Sequence, residues 1–235
     1  MECSILIVSH NTRRFTELCV KGAVKLSTAS RVYVIDNGSS DGSLDFLARA
    51  ASSGRLALLT RIAPRSAASH GSAIDMFIRK GITTDWLLLL DSDCLPMTHG
   101  FDRKLMEMAS GYSVFGTQHF RDATLVHPST MLIARDVIES PAGKVSFILK
   151  NRGGVITDTG MAFCSSVKSA GFRVLTISRE AMSSFVKHRW CATRAEAARL
   201  AGNRNIDDKS LADFDKETES WLSDPMAQEV AKIEL

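Results

Sequence analysis

Trp86-Leu-Leu-Leu-Leu-Asp91-Ser-Asp93 is the stretch that decides the fold of this chain. Four leucines behind a tryptophan make an apolar run with no helical spacing, too short to cross a bilayer. It reads as a strand buried on both faces. The run ends at once in two carboxylates one residue apart. In an open α/β sheet, ligands gather outside the carboxyl ends of the strands, so Asp91 and Asp93 stand where a ligand would sit. Their alternate directions let one offer oxygen to a hard divalent cation and the other to a ligand hydroxyl. An Asp-x-Asp triplet arises easily by chance in 235 residues; its place directly behind WLLLL gives it weight.

Moving outward, Ser4-Ile-Leu-Ile-Val8 reads as the first strand, closed by the capping side chains of Ser9-His10-Asn11-Thr12. Phe15, Leu18, Cys19, Ala23 and Leu26 follow at helical spacing. Val32-Tyr-Val-Ile35, rich in β-branched and aromatic side chains, is a second strand. It stops in the turn Asp36-Asn37-Gly38-Ser-Ser-Asp-Gly42. A second helix is marked by Leu44, Leu47, Ala48 and Ala51, and a third strand by 56–59. A helix over 72–82, carrying Ile74, Phe77, Ile78 and Ile82, leads into the leucine strand. This alternation predicts right-handed crossovers and a mainly parallel, Rossmann-like sheet with helices on both faces.

Beyond residue 100 the pattern loosens. Short strands are expected at 114–118, 125–126, 131–134 and 174–177, a helix over 158–170, and charged, alanine-rich helices near 195–201 and 211–222. The expected organisation is one α/β domain. Its nucleotide-binding half spans 1–100, a second half 101–192, and a helical C-terminal extension 193–235.

Composition narrows the function. A net charge of +3 suits an anionic ligand, but it is too small and too scattered to mark a nucleic-acid-binding surface. Cys3, Cys19, Cys94, Cys164 and Cys191 are odd in number and nowhere closely paired, which points away from a disulfide framework or zinc site and toward a reducing, cytoplasmic setting. No segment approaches membrane-spanning length. Neither a Gly-x-x-x-x-Gly-Lys-Ser/Thr loop nor a Gly-x-Gly-x-x-Gly follows the first strand, which disfavours P-loop enzymes and nicotinamide dehydrogenases. Three polar clusters (9–11, 36–42 and 91–93) each follow a strand. Parallel strands would bring them to one edge, where turn amides and helix N-termini suit phosphate. Taken singly, each is an ordinary turn or cap.

ILIVSHN, VYVIDNGSSDGS and SHGSAIDMFIRKGITTDWLLLLDSD, in this order, resemble the family 2 glycosyltransferases of the GT-A fold. The resemblance covers about the first hundred residues. It implies a GT-A-like domain that binds a nucleotide-sugar donor, most often a uridine diphosphate sugar, with a divalent cation, Mn²⁺ or Mg²⁺. On that resemblance Ser9, His10 and Asn11 line the nucleotide pocket, and Asp36 contacts base or ribose with Asn37 and Gly38 shaping the turn. His70 and Gly71 fall in the donor-contacting loop. Asp91 and Ser92 belong to the donor site, Asp91 facing ribose or a metal water, and Asp93 ligates the cation. Asp158-Thr-Gly160 resembles the segment of the catalytic carboxylate, although family members often carry Glu-Asp where this chain has Asp158 followed by Thr159. His188 resembles a late histidine that some members use as a further metal ligand.

The chemistry asks for the same groups. Expelling a diphosphate calls for a cation, and an attacking hydroxyl calls for a general base. Asp158 stands equally well as that base or as a helix N-cap, and His188 reads first as an ordinary half-buried or surface histidine and second as a ligand. Arg65 stands near enough to His70 to meet donor phosphates, Lys187 and Arg189 flank His188 and could close over the diphosphate, and His127 borders the acceptor or sits in a simple turn. The acceptor is a saccharide by default, with a hydroxylated DNA base left open. Two other readings stay in view: a nucleotidyltransferase on a related fold, and a homologue that binds nucleotide without catalysis.

Overall fold

The computed structural model describes residues 1–28, 30–62, 69–148, 150–152, 155–190, 195–196 and 208–235. At its centre β1 (Cys3–Ser9) lies between β2 (Ser30–Asp36) and β4 (Trp86–Asp91), parallel to both, with β3 (Leu58–Arg61) parallel to β2 at the edge. On the other side of β4 comes the antiparallel β7 (Val126–Ala134), then β6 (Val114–Gln118) and β10 (Val174–Ile177), which are parallel to each other. Only β7 runs against the rest. The carboxyl ends of β1, β2, β4 and β6 and the amino end of β7 therefore share one edge.

The leucine strand shows why the sheet is buried on both sides. Leu88 and Leu90 face one core with Ile5 and Ile7 of β1, beneath Phe15, Cys19 and Ala23 of α1 (Arg13–Leu26). Leu87 and Leu89 face the other with Leu6 and Val8, beneath Ile74, Phe77 and Ile78 of α3 (Ser69–Arg79) and Phe163 and Val167 of α6 (Met161–Ser169). None of the four leucines is more than 2% exposed, so each contributes roughly 2 kcal/mol of burial. The period-two alternation of a strand turns an unbroken apolar run into two half-cores.

Several boundaries differ from the sequence expectation. α3 begins at Ser69 rather than 72, which puts His70 and Gly71 in its first turn. β3 lies two residues later than expected, its Leu58 opposite Tyr33. The expected strands at 125–126 and 131–134 are one nine-residue β7 that runs through Pro128. Its register against β6 shifts between Gly116 and Gln118, and proline, which has no N–H to give a ladder, is accommodated at such an irregularity. The helix expected from 158 starts at Met161, directly behind its N-cap Gly160 at φ 79°; Asp158 is not the cap. Of the helix expected near 195–201, only Ala195 and Glu196 lie among the described residues.

Further helices and strands of the described residues are α2 (Ser43–Ser52), β5 (Cys94–Pro96), α4 (Phe101–Met108), α5 (Arg135–Glu139), the hairpin β8 (Lys150–Arg152) and β9 (Val155–Thr157), α7 (Arg179–Met182), β11 (Val186–His188), α8 (Asp208–Leu222) and α9 (Pro225–Ala231). α8 and α9 return to α1: Trp221 packs 5.6 Å from the Phe15 ring and Lys21 Nζ donates to Ala231 O at 2.9 Å. Among the described residues no helix is long and apolar enough to cross a membrane.

Candidate active site

The shared edge carries two adjoining groups of polar side chains. At the ends of β1 and β2 the backbone of one loop is held by side chains of the other. His10 Nδ1 donates to Asn37 O at 2.9 Å, Asn11 N donates to Ser39 Oγ at 3.0 Å, and Ser40 N donates to Asn11 Oδ1 at 2.7 Å. Asn11 sits at φ 51° and Gly38 at φ 78°. Asp36 is fully buried and accepts from Ser39 N at 3.1 Å. Ser9 and Ser92, both expected near the donor, turn their hydroxyls into the protein, at 2.8 Å to Thr16 Oγ1 and 2.8 Å to Thr12 Oγ1 respectively. They fix where α1 starts relative to the strand ends.

β4 delivers Asp91 and Asp93 to the same edge, and a second strand pair brings them a partner from far along the chain. β5 leaves directly after Asp93 and pairs antiparallel with β11, setting Cys94 opposite His188. His188 Nε2 thereby lies 2.9 Å from Asp93 Oδ1 and 3.7 Å from Asp91 Oδ2. From the opposite side His70 Nε2 reaches to 3.4 Å of Asp91 Oδ1. Burial works against charge on His188, His70 and Asp91, but the pairing outweighs it. Burial lowers the pKa of His188, yet Asp93 and then Asp91 leave it raised; His70 is likewise raised, chiefly by Asp91 against burial. Asp91 ends well below the usual carboxylate range, because His70, ahead of His188, overrides its desolvation. Asp93, Cys94 and His188 hold their ligand atoms within 4.8 Å of one another.

Gly71 has a packing reason of its own. A Cβ there would lie 2.6 Å from the backbone carbonyl of Phe147. Phe147 N in turn donates to Asp75 Oδ1 at 2.9 Å, and Gly160 N donates to Phe147 O at 3.3 Å. The segment through Phe147 thus ties α3 to the Asp158 turn.

Asp158 belongs to the second group, with His119 at the end of β6 and His127 at the start of β7; ligand atoms of the three lie within 4.8 Å of one another. His119 Nε2 is 3.7 Å from Asp158 Oδ2, and Asp158 Oδ1 accepts from Thr159 N at 2.8 Å. Trp190 joins the two groups. Its ring centroid is 3.8 Å from that of His188 and 5.1 Å from that of His127, with the Arg179 guanidinium 3.7 Å over its face. Trp190 adopts φ 60°, an uncommon conformation for a bulky side chain. Phe120, 54% exposed, stacks on His119 at 4.7 Å.

Sequence reasoning missed His119, Phe120, Trp190 and Arg179. For the first two a signal existed: they directly follow a strand parallel to β4, which puts them at the same edge. The expectation that Lys187 and Arg189 close over a diphosphate is corrected. Lys187 Nζ lies 2.9 Å from Asp224, and Arg189 is bound to Phe214 O, Thr218 and Glu217 at 2.7, 2.9 and 3.1 Å. Arg65 lies outside the described residues.

No curated protein matches the chain by sequence. Solved structures do match its fold. A mannosyltransferase from Pyrobaculum calidifontis, in complex with GDP-Man and Mn²⁺, superposes with a TM-score of 0.57 at 15% identity, covering 98% of this chain and 83% of that one. TarS 1-349 from S. aureus in complex with UDP-GlcNAc gives 0.56 at 13% identity, covering 100% and 77%. The same protein in complex with UDP gives 0.57 at 12% identity, covering 100% and 76%. The sequence profile of Glycosyl transferase family 2 matches residues 4–173, a span that runs from β1 past α6 and takes in both polar groups apart from His188, Trp190 and Arg179, so this chain belongs to that family and is a glycosyltransferase.

Proposed function

We propose that the protein transfers a sugar from a nucleoside diphosphate sugar, a UDP-sugar, to an acceptor hydroxyl, with a divalent cation and with inversion at the anomeric carbon. The observation that carries this reading is the meeting of Asp91, Asp93 and His188 at the carboxyl end of β4, His188 being 2.9 Å from Asp93. Two carboxylates and an imidazole with converging ligand atoms fit a cation, which the imidazole would bind as the neutral ring. A mixed nitrogen and oxygen set suits Mn²⁺ better than Mg²⁺, which prefers oxygen and water. Asp93 and His188 would hold the ion, with Asp91 beside them, and when bound it would supply positive charge against the departing diphosphate.

The chain's own groups do the rest. The loops carrying His10, Asn11, Asp36 and Asn37 form a rigid wall for base and ribose, since each backbone is pinned by the other's side chains. Asp158 takes the proton of the acceptor hydroxyl as it attacks. One carboxylate in that role suits a single displacement, hence inversion. Support for a uridine donor comes from the fold's likeness to TarS complexes holding UDP and UDP-GlcNAc, and support for a saccharide acceptor from the exposed Phe120 ring stacked on His119, since aromatic faces pack well on apolar surface. Among the described residues Cys3, Cys19, Cys94 and Cys164 are free and buried, which suits a cytoplasmic, reducing setting.

The test is release of nucleoside diphosphate from a panel of UDP- and GDP-sugars, with and without Mn²⁺, in the native protein and in Asp93→Ala. Mn²⁺-dependent release from one donor, lost in the variant while its melting temperature holds, is the expected result. Full activity in Asp93→Ala would sink the metal role. Donor binding without turnover under any acceptor would favour a non-catalytic homologue, and pyrophosphate release from a nucleoside triphosphate and a sugar phosphate a nucleotidyltransferase. Binding to duplex DNA that weakens steeply with salt would point to a nucleic-acid acceptor.

A further inference from the structure

The cluster of His119, His127 and Asp158 has a spacing that would suit a cation, and its hydrogen bonds argue otherwise. His119 Nδ1 accepts the Arg121 backbone N–H at 3.1 Å, and His127 Nδ1 accepts the Ser129 backbone N–H at 3.1 Å. A backbone amide can only donate, so neither Nδ1 carries a proton and the neutral rings carry theirs on Nε2. Histidines that ligate metals show the reverse, the second ring nitrogen donating to a carboxylate or carbonyl. Burial favours the neutral form of both: it brings His127 down to about 4 and lowers His119 as well.

What remains is a donor without an acceptor. His119 is 1% exposed, and its Nε2 is buried with no hydrogen-bond partner among the described residues. The nearest anionic oxygen is Asp158 Oδ2, 3.7 Å away, while Oδ1 of the same carboxylate already accepts from Thr159 N. A closure of less than about 1 Å would bring Oδ2 into hydrogen-bond range, and such bonds are often long in ligand-free enzymes. The ring that offers the donor cannot easily turn away, because Nδ1 is pinned by the backbone and its face is covered by Phe120 at 4.7 Å.

We infer that His119 is a positioning residue for the transfer reaction: its Nε2–H fixes the Asp158 carboxylate toward the acceptor hydroxyl. This rests on the reading of Asp158 as the base. Neutral His119 orients the carboxylate without taking up its charge, leaving it free to accept a proton. His127, 5.2 Å from His119 between ring centroids, backs that ring on the side toward Trp190.

Two variants separate the donor from the ring. His119→Phe keeps an aromatic ring and removes the donor; His119→Gln keeps an amide N–H at similar reach. With Mn²⁺ and the donor sugar that is turned over fastest, His119→Phe is expected to lower kcat roughly 10- to 100-fold, the scale for groups that orient a reacting residue, with the donor KM within about twofold. His119→Gln is expected to restore most of that kcat. Nitrogen-15 spectra of histidine-labelled protein read the tautomer directly, without turnover: His119 should be protonated on Nε2, and Asp158→Asn should shift its ring signals. A Nδ1–H tautomer, native kcat in a folded His119→Phe, or Mn²⁺ or Zn²⁺ binding in Asp93→Ala that disappears with His119→Phe would overturn the inference. Full activity in Asp158→Asn would instead remove the base reading itself. An inactive Asp158→Asn beside an active His119→Phe would remove only the role given to His119.

Discussion

Gly71→Ala adds a single methyl group at a place where the fold has no room, and its effect should be felt at Asp158. The new Cβ would stand 2.6 Å from the carbonyl carbon and oxygen of Phe147 and 2.7 Å from Ile148 N, all backbone atoms. Non-bonded heavy atoms rest near 3.5 Å, so one side must move by about 1 Å. α3 is the harder side to shift, since its Ile74, Phe77 and Ile78 are set in the core beneath β1 and β4. The Phe147 segment moves instead, against the bond from its N–H to Asp75, and it carries the bond from Gly160 N with it. Overpacking of this kind costs about 1–3 kcal/mol, which for a chain of this length lowers the melting temperature by roughly 2–12 °C. With Asp158 as the proposed base, a displacement near 1 Å can cost about 100-fold in rate, so kcat should fall by at least about tenfold. Gly54→Ala is the control, because Gly54 has φ +74° and nothing within 4 Å of an added Cβ. It should lose about 1–2 kcal/mol through backbone strain alone and leave kcat intact. The assay is a thermal melt together with nucleoside diphosphate release for both variants. Native stability and turnover in Gly71→Ala would refute the steric reasoning. A stability loss with native kcat would refute the link from α3 to the Asp158 turn.

Arg189→Met should detach α8. The guanidinium, 7% exposed, holds Phe214 O, Thr218 and Glu217 and lies 4.1 Å over the Phe214 ring. Its loss removes the donor to the buried Thr218 hydroxyl and two further bonds, to the exposed Glu217 and to Phe214 O, which still accepts from Thr218 Oγ1 at 2.8 Å, at a cost of about 1–3 kcal/mol, readable as a lower urea midpoint and as early proteolytic cleavage within 208–222. That segment surviving protease as in the native protein would refute the clamp. The cysteines supply a pH prediction: burial pushes the Cys3 and Cys164 thiols up to about 12, and those of Cys19 and Cys94 well above the usual range. At pH 8 a thiol of pKa about 12 is thiolate only about one part in ten thousand, and thiolate is the reactive form. Peptide mapping after iodoacetamide should therefore find all four unmodified in the folded protein at pH 8 and modified in urea. Rapid native labelling at Cys3 or Cys164 would contradict their burial.

The first half of the fold was readable because its strands and helices bury whole faces. WLLLL could only be a strand with a core on each side, and the alternation of strand and helix up to Asp93 left little choice of topology. The reading weakened where tertiary context overrides pattern. β7 looked like two fragments because Pro128 interrupts it, and only the shifted register against Gly116 and Gln118 shows how one strand survives. α4 is eight residues long, with Phe101, Leu105 and Met106 as its buried apolar contacts, too few turns to show a period. α3 was read as starting late because Gly71 resembles a loop residue, whereas its lack of a side chain serves the approach of Phe147.

The site divides along the same line. Asp91 and Asp93 were legible from their place behind a buried strand. His188 became a partner of Asp93 only through β5 and β11, two three-residue strands with no pattern of their own, whose pairing spans some ninety residues of chain. Yet strand geometry did contain a lesson about the neighbours of His188. Side chains alternate across a strand, so Lys187 and Arg189 cannot face the side that His188 faces. With His188 turned to Asp93, both must point the other way, where they bind Asp224 at the start of α9 and Phe214 and Thr218 of α8. The three consecutive basic residues are therefore not one cationic patch over a diphosphate. One completes the carboxylate site, and the two beside it fasten the C-terminal helices that hold its strand in place, so loss of either clamp should loosen His188 before it disturbs Asp93, which directly follows the central strand β4.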